Sequence, residues 1–466
     1  MVYCSYNNFS EGRTPAVKKK RTFALSTTQI ILLSFVMLIL LGSGLLSLPI
    51  AAADGVSVSY VDALFTATTA ACVTGLVTVT TATTWSIFGQ AVILFLVQIG
   101  GLGVITVVSW LMLLMHRKLS LSDHLLLQDA FNVNTLSGLN KFVKKVVVGT
   151  FAVEGAGALL YMTVLVPRFG LRGVWMAVFN AVSAFCNAGM DVIGGNSLMD
   201  YATHPLMNAI TAALVILGGL GYIVWWDVWR VIRSPRCRGW RYLTLHSKIA
   251  LTATAALLLG GTAVILAAEY RNPATIGEMG LWDKLQCAFF QSMTTRTAGF
   301  AALPQEGLTN AGALACMLLM FVGGSPVGTA GGVKTVTVAV LIAAAYRTIV
   351  GRQQIGLFHR SLSFAAVRKA VAVVGMSLTV LMGSTLLLSA VTDAALVDIL
   401  YETVSATATV GLSRGLTARL DLWGKLIVIA TMYFGRIGPI SLAIALGTRK
   451  EERNSVTDPI EEISVG

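Results

Sequence analysis

The hydrophobic and polar positions of this 466-residue chain alternate in long blocks, not residue by residue. A helix needs roughly 20 apolar residues to cross a bilayer core, and most of the apolar blocks approach or exceed that length. They occupy residues 29–50, 88–115, 146–166, 206–228, 249–268, 311–322, 333–345, 370–390 and 426–446. The two shortest, 311–322 and 333–345, flank a glycine-rich interruption and are interpreted as halves of one span. The pattern therefore predicts eight transmembrane helices.

Composition and charge agree with a membrane protein. The chain is 55% hydrophobic and 12% charged, whereas soluble domains carry about 25% charged residues. If the eight spans alternate, most lysines and arginines fall on one side, which the positive-inside rule assigns to the cytoplasm together with both termini. The net charge of +12 then reflects topology and contact with inner-leaflet lipids, and no nucleic-acid partner is expected. The opposite face is acidic, either for solubility or to concentrate cations at a mouth.

Four glycine-centred segments recur along the chain. They read ACVTGLVT (71–78), FCNAGMDV (185–192), TRTAGFAA (295–302) and TATVGLSR (407–414), and their central glycines are separated by 114, 110 and 112 residues. A nearly constant period indicates four copies of one unit. Four such segments can meet on one axis and present a ring of backbone carbonyls, which replaces the water shell of a monovalent cation.

A short apolar stretch precedes each glycine segment, at 61–71, 174–185, 282–293 and 396–407. These stretches are too short to cross the bilayer and favour re-entrant helices. Their C-terminal ends would point at the axis, where the negative end of the helix dipole favours a cation. A single glycine in an apolar segment usually marks helix packing, but four in register favour the carbonyl ring.

The glycine segments, the glycine-rich break in the third repeat and the GRIGP motif at 435–439 resemble the Ktr/Trk/HKT superfamily of potassium transporters, and specifically its KtrB-type membrane subunits, over about residues 27–447. The resemblance implies an all-α integral membrane fold of four tandem helix–pore-loop–helix repeats around a pseudo-fourfold pore. It implies potassium uptake, sodium dependence, a homodimer in the bacterial cytoplasmic (inner) membrane, and a cytoplasmic ring of nucleotide-binding regulatory subunits. The chain carries no nucleotide motif of its own, so no cofactor is expected in it.

The resemblance identifies the glycine segments as a degenerate selectivity filter that keeps the first glycine of the potassium-channel TVGYG signature. In plant relatives, serine at the first of these glycines goes with sodium and glycine with potassium; Gly75 therefore implies potassium preference. The side chains of Asn187 and Asp191 could serve the mouth of the pathway or cap a loop. The predicted potassium-binding positions are Val73, Thr74, Gly75, Asn187, Ala188, Gly189, Thr297, Ala298, Gly299, Thr409, Val410 and Gly411.

The third repeat carries FVGGSPVGTAGGVKTVTV at 321–338, a sequence that no continuous helix accommodates. It is interpreted either as a kink relieved by neighbouring helices or as an intramembrane gate loop, 321–335, below the filter. The predicted gate residues are Gly323, Gly324, Ser325, Gly328, Thr329, Gly331, Gly332, Lys334 and Arg436.

Arg436 lies within the last apolar run, where an arginine is costly and points to function. It either opposes cation passage or anchors the gate loop. The alternative is a structural salt bridge, for which Glu154, within the third apolar run, is the candidate partner.

Other chemistry is weakly represented. The six cysteines show no metal-ligand spacing and are predicted to be free thiols. The five histidines are scattered, so an enzyme is not expected. A coupled secondary cation transporter with a midplane binding site remains the alternative function.

These interpretations divide the chain into nine segments. They are an N-terminal cytoplasmic tail (1–26), repeat one (27–116), an interfacial segment (117–142), repeat two (143–232), a basic loop (233–246), repeat three (247–346), a cytoplasmic loop (347–365), repeat four (366–448) and a C-terminal cytoplasmic tail (449–466).

Overall fold

The computed structural model describes residues 27–115, 139–234, 239–351 and 354–438. The predicted tails at 1–26 and 449–466, most of the interfacial segment 117–142, and Cys4 and Cys237 lie outside the described residues. The regular structure of the described residues is helical, apart from one hairpin of two-residue strands, β1 (Gly356–Leu357) and β2 (Arg360–Ser361). The all-α prediction is confirmed.

Four long helices open the four repeats. Each is apolar and long enough to cross a membrane. The first two are α1 (Thr27–Leu46) in repeat one and α6 (Leu139–Phe169) in repeat two. The others are α10 (Leu245–Glu269) and α14 (Phe364–Val391). Helices α10 and α14 begin after Thr244 and Ser363, whose hydroxyls accept a backbone N–H of the first turn, the usual signal that starts a helix.

A shorter helix follows in each repeat and ends at the glycine segment. These helices are α2 (Tyr60–Ala71), α7 (Leu171–Cys186), α11 (Leu281–Thr294) and α15 (Leu396–Ala408). Their ends match the predicted re-entrant stretches to within three residues. Helices α7 and α15 stop where Asn187 and Thr409 take a left-handed conformation that a helix cannot continue.

The inner helices of repeats one and two correct the prediction of single straight spans. After the four-residue α3 (Thr81–Thr84), the first inner helix is α4 (Ile87–Leu102), which meets α5 (Val104–Leu114) at a bend of 95°. In repeat two, α8 (Pro205–Leu220) meets α9 (Tyr222–Arg233) at 98°. Gly103 and Gly221 occupy the two bends with φ of 85° and 86°, a conformation open to glycine.

The inner helix of the third repeat is interrupted, as the sequence predicts. Helix α12 (Asn310–Phe321) and helix α13 (Thr335–Ile349) flank an irregular segment that replaces several helical turns. The fourth repeat closes with α16 (Leu422–Ile437), which stops at Gly438 with φ of 88°. Residues 439–448, the predicted end of that repeat, lie outside the described residues.

Packing between repeats is cyclic. The inner helix of each repeat packs against the short helix of the next: α4 on α7, α8 on α11, α12 on α15, and α16 back on α2. A half-buried ion pair between Lys425 and Asp62, 2.7 Å apart, joins the last repeat to the first. The four short helices therefore converge on one central axis.

Several acids assigned to the outer face are held in the framework. Asp398 pairs with Arg414 at 2.7 Å, whereas Glu269 and Glu402 are buried and accept hydrogen bonds from threonine and serine hydroxyls. These carboxylates stabilise loops and are not free to concentrate cations.

The described cysteines Cys72, Cys186, Cys287 and Cys316 are free and buried, which agrees with the prediction.

Candidate functional site

The four central glycines form a closed ring in which each touches the next repeat. A Cβ atom on Gly75 would lie 2.5 Å from the carbonyl oxygen of Ala188, and one on Gly189 would lie 2.7 Å from that of Ala298. A Cβ on Gly299 or Gly411 would likewise come closer than 3.0 Å to a carbonyl oxygen, that of Val410 or of Thr74, respectively. Only glycine fits this approach, and the cyclic order places four carbonyls around one axis.

The backbone around each glycine alternates in handedness. Val73, Asn187, Thr297 and Thr409, two residues before the glycines, have positive φ of 54°, 60°, 65° and 52°. The glycines themselves also have positive φ, whereas the residues between do not. This alternation turns successive carbonyls to the same side of the chain. Non-glycine residues with positive φ are uncommon, and they cluster at functional sites.

Hydroxyl groups of the short helices hold the segments in place. The N–H of Gly75 donates to Thr69 Oγ1 at 2.9 Å, and the N–H of Gly411 donates to Ser405 Oγ at 3.0 Å. In repeat two, Ser183 Oγ accepts the N–H of Met190 at 3.1 Å. Repeat three departs from this pattern, because Thr294 Oγ1 donates to the Phe300 carbonyl at 2.7 Å. The N–H groups of Gly75, Gly411 and Met190 are thus turned away from the axis. The backbone carbonyls of these segments are left to face it.

An outer cavity of about 420 Å³ opens above the ring and is lined by all four glycines together with Asp191 and Glu306. Burial raises the pKa of the Asp191 carboxyl to about 6, although hydrogen bonds from Ser197 and from the backbone of Ile193 oppose the shift. Asn187 is placed differently. Its amide nitrogen, in the orientation that satisfies its neighbours, lies within 3.3 Å of the carbonyls of Ala184, Phe185 and Val215 and donates its two hydrogens among them. The structure therefore brings Asp191 to the mouth, whereas the Asn187 side chain caps a helix.

The predicted gate loop runs between α12 and α13 directly beneath these segments. Its backbone bonds to repeat two: the N–H of Ser325 donates to the Gly219 carbonyl at 2.8 Å, and the N–H of Tyr222 donates to the Val327 carbonyl at 3.0 Å. Thr329 Oγ1 donates to the carbonyl of Phe185, at the end of α7, at 3.0 Å. The loop is therefore docked by hydrogen bonds onto the bend at Gly221 and onto the second glycine segment.

Glycines allow the loop to fold this tightly. A Cβ on Gly331 would collide with the hydroxyl of Thr409, in the fourth glycine segment, and one on Gly323 would collide with the Gly331 carbonyl. A Cβ on Gly324 would lie 2.5 Å from that of Ala330, and one on Gly328 would lie 2.9 Å from the Gly218 carbonyl. Gly332 has φ of 64°. All the predicted gate residues from 323 to 334 belong to this one packed segment.

Three cationic side chains hold the loop by its carbonyl oxygens. Arg436 donates to the Thr329 carbonyl at 2.6 Å and to the Gly100 carbonyl at 2.5 Å, so it bridges the loop and α4. Lys334 Nζ donates to the Ala330 carbonyl at 2.6 Å. Arg296 Nη2 lies 3.3 Å from the Gly323 carbonyl. Arg436, Lys334 and Gly331 also line an inner cavity of about 330 Å³.

The suggested Arg436–Glu154 salt bridge is wrong. Glu154 is buried beside Cys186, whose Sγ lies 3.7 Å from its carboxylate, and no ion pair involves either Glu154 or Arg436 within the described ranges. The guanidinium finds backbone carbonyls instead, which supply acceptors without a compensating negative charge.

Arg296 is a site residue that the sequence interpretation missed. It is buried within the third glycine segment, at the position that Cys72, Cys186 and Ala408 occupy in the other three. The available signal was a basic residue three positions before a ring glycine, a feature that no other repeat has.

Comparison with known proteins finds similarity to cation transport proteins. The family model TrkH, described as a cation transport protein, matches residues 9–456. The chain is 37% identical over 436 residues to the potassium/sodium uptake protein NtpJ of Enterococcus hirae, covering 92% of this chain and 95% of that protein. It is 35% identical over 439 residues to the Ktr system potassium uptake protein B of Bacillus subtilis, covering 94% and 96%.

A solved structure has the same fold. The crystal structure of the potassium transporter TrkH from Vibrio parahaemolyticus matches with a TM-score of 0.73, covering 92% of this chain and 86% of that one at 17% identity.

Proposed function

The chain belongs to the TrkH family of cation transport proteins, and we propose that it takes up potassium across the cytoplasmic membrane through the ring of glycine segments. The observation that carries the proposal is the cyclic approach of Gly75, Gly189, Gly299 and Gly411 to the carbonyls of their neighbours. A ring of carbonyls can take the place of the hydration shell of a potassium ion. Being an ion transporter, the protein is not an enzyme.

Potassium is proposed as the preferred ion for two reasons. The similar proteins are named for potassium uptake or for potassium/sodium uptake. In addition, all four ring positions are glycine, so no side chain pushes a carbonyl out of the ring. The ligands would be the carbonyls of the twelve filter positions named from the sequence, grouped around Gly75, Gly189, Gly299 and Gly411.

The loop beneath the ring would act as the gate. It is docked by backbone hydrogen bonds, and the Arg436 guanidinium, which has no acidic partner among the described residues, would raise an electrostatic barrier below the ring. A gate also needs a signal. Relatives are named as parts of a Ktr system, which supports regulation by separate cytoplasmic nucleotide-binding subunits. Assembly as a homodimer and dependence on sodium belong to the same proposal.

The test is ion flux into proteoliposomes that contain the purified protein. Potassium uptake down a potassium gradient, with no sodium or proton gradient, is expected to exceed that of protein-free vesicles at least tenfold. Uptake that requires an imposed sodium or proton gradient, and that runs against a potassium gradient, would instead support the coupled secondary transporter. No potassium flux under either condition, in correctly folded protein, would contradict both.

A further inference from the structure

Arg296 is a buried arginine with no acidic partner in the described part of the chain. The residue is 7% exposed, and Nη2 lies 3.3 Å from the Gly323 carbonyl and 3.5 Å from Thr254 Oγ1. Its Nε has no hydrogen-bond partner. Burying a charge without a counter-charge is costly, so the contacts that it does make need an explanation.

One end of the arginine belongs to the ring. Arg296 immediately precedes Thr297, which has φ of 65°, and stands three residues before Gly299. The N–H groups of Ala298 and Gly299 both donate to the Thr294 carbonyl, at 2.9 and 3.3 Å. The short segment from Thr294 to Gly299 is thus tightly tied, and a force on the side chain of Arg296 acts on the carbonyls of the third glycine segment.

The other end of the arginine reaches the neck of the gate loop. The N–H of Gly323 donates to the Val333 carbonyl at 3.0 Å, and the N–H of Val333 donates to the Phe321 carbonyl at 3.2 Å. These two bonds bring together the points where the loop leaves α12 and approaches α13. The Gly323 carbonyl accepts a hydrogen bond from Arg296. Because Gly323 lies at this neck, the carbonyl moves when the loop moves.

The placement is specific to the third repeat. Cysteine or alanine occupies the equivalent position in the other three repeats, and neither can bridge to a second element. The third repeat is also the one whose inner helix is interrupted by the loop. A single nitrogen of the guanidinium, Nη2, reaches both Thr254 and Gly323, so this contact requires a long side chain with a charged donor at its end.

We propose that Arg296 is a positioning residue that couples the neck of the gate loop to the third filter segment, so that displacing the loop changes ion selectivity as well as access. The proposal rests on the filter and gate of the proposed function. It predicts that opening and selectivity change together when this one contact is weakened, although Arg296 itself binds no ion.

The experiment uses the full chain with its native cysteines and one added reporter cysteine, Val327→Cys, in the half-buried middle of the loop. Its modification by a membrane-impermeant thiol reagent from the cytoplasmic side measures loop displacement, with the chain lacking Val327→Cys as the blank. Uptake of potassium and of sodium is measured in parallel. Arg296→Gln is expected to speed modification at least fivefold and to lower the potassium-to-sodium uptake ratio at least threefold.

Two variants serve as controls. Arg296→Lys keeps the charge and a donor for the Gly323 carbonyl, and should stay within twofold of the parent in both measurements. Arg172→Gln removes an exposed arginine at the start of α7 and should change neither. Assembled Arg296→Gln protein with parental modification rate and parental ion ratio would overturn the proposal.

If Arg296→Gln does not assemble, Gly324→Ala decides instead. Its Cβ would lie 2.5 Å from that of Ala330 and would displace the loop neck without altering the arginine. The ion ratio should fall at least threefold, and an unchanged ratio in assembled protein refutes the coupling. Gly75→Ser in the same assay distinguishes failure of the coupling from failure of the filter. If Gly75→Ser changes the potassium-to-sodium ratio and the Arg296 and Gly324 variants do not, the coupling is refuted and the filter is retained. If none of them changes it, the filter itself fails.

Discussion

Replacing Gly75 by serine tests the ring most directly. The new Cβ would lie 2.5 Å from the Ala188 carbonyl oxygen, and real Cβ atoms essentially never come closer than 3.0 Å, so this oxygen must withdraw by about 0.5 Å or more. Serine must also adopt φ of 102°, a strain of about 1–3 kcal/mol. The substitution therefore distorts the ring even if the fold survives.

The effect on ion binding can be estimated from the lost carbonyl. A contact between a charge and a buried carbonyl is comparable to a hydrogen bond to a charged group, about 1.5–3 kcal/mol. Losing it should weaken potassium affinity by about 10- to 100-fold. Sodium should lose less, because a smaller ion needs fewer carbonyls to replace its water. The potassium-to-sodium ratio should consequently fall.

The assay is uptake of both ions, over a range of concentrations, in cells that lack other potassium systems. Gly55→Ser is the matched control, since Gly55 also has positive φ, 68°, but a Cβ there would meet no atom within 4 Å. It should leave both ions unaffected. If Gly75→Ser protein reaches the membrane and keeps the parental ratio, Gly75 is a packing residue and the ring does not select.

Four further outcomes are expected. Deleting 328–332 should raise potassium flux several-fold without loss of assembled protein, measured in proteoliposomes; unchanged flux would refute the gate. Arg436→Gln should also speed cation passage because the barrier and the contact with the loop are both lost, whereas failure to assemble would indicate a purely structural anchor. Glu154→Gln should keep uptake at neutral pH within twofold, since no basic group pairs with the carboxyl in the described structure, and a large loss would show that its charge is required. Lys425→Met should lower stability by about 1–3 kcal/mol, seen as a reduced melting temperature, because Asp62 is left unpaired, and Asp62→Asn in the same chain should recover part of the loss.

The sequence by itself determined the class of protein and the frame of the site. Long apolar blocks with few charges require helices that satisfy their own backbone in a bilayer. The nearly equal spacing of Gly75, Gly189, Gly299 and Gly411, each after a short apolar stretch, was sufficient to predict four copies of one unit with the glycine at the end of a short helix. The break in the inner helix of the third repeat could also be predicted, because the many glycines around Pro326 do not allow a continuous helix.

The bends at Gly103 and Gly221 could not be predicted from the sequence. A run of apolar residues indicates only that these residues avoid water. The same run is compatible with a straight helix and with one that turns by nearly 100°. The bend at Gly221 depends on the loop, whose Val327 carbonyl accepts the N–H of Tyr222, freed there from the helix. That partner lies about a hundred residues away in sequence.

Charged partners were decided by the tertiary structure for a related reason. The sequence suggests Glu154 as a carboxylate partner for Arg436, but the folded chain offers the carbonyls of Thr329 and Gly100 instead. Every residue has a carbonyl, so its availability leaves no mark in the sequence. Such oxygens are free at membrane depth only where a helix ends or the backbone is irregular, as at Gly100 in the last turn of α4 and at Thr329 in the gate loop, and that placement is a property of the assembled fold.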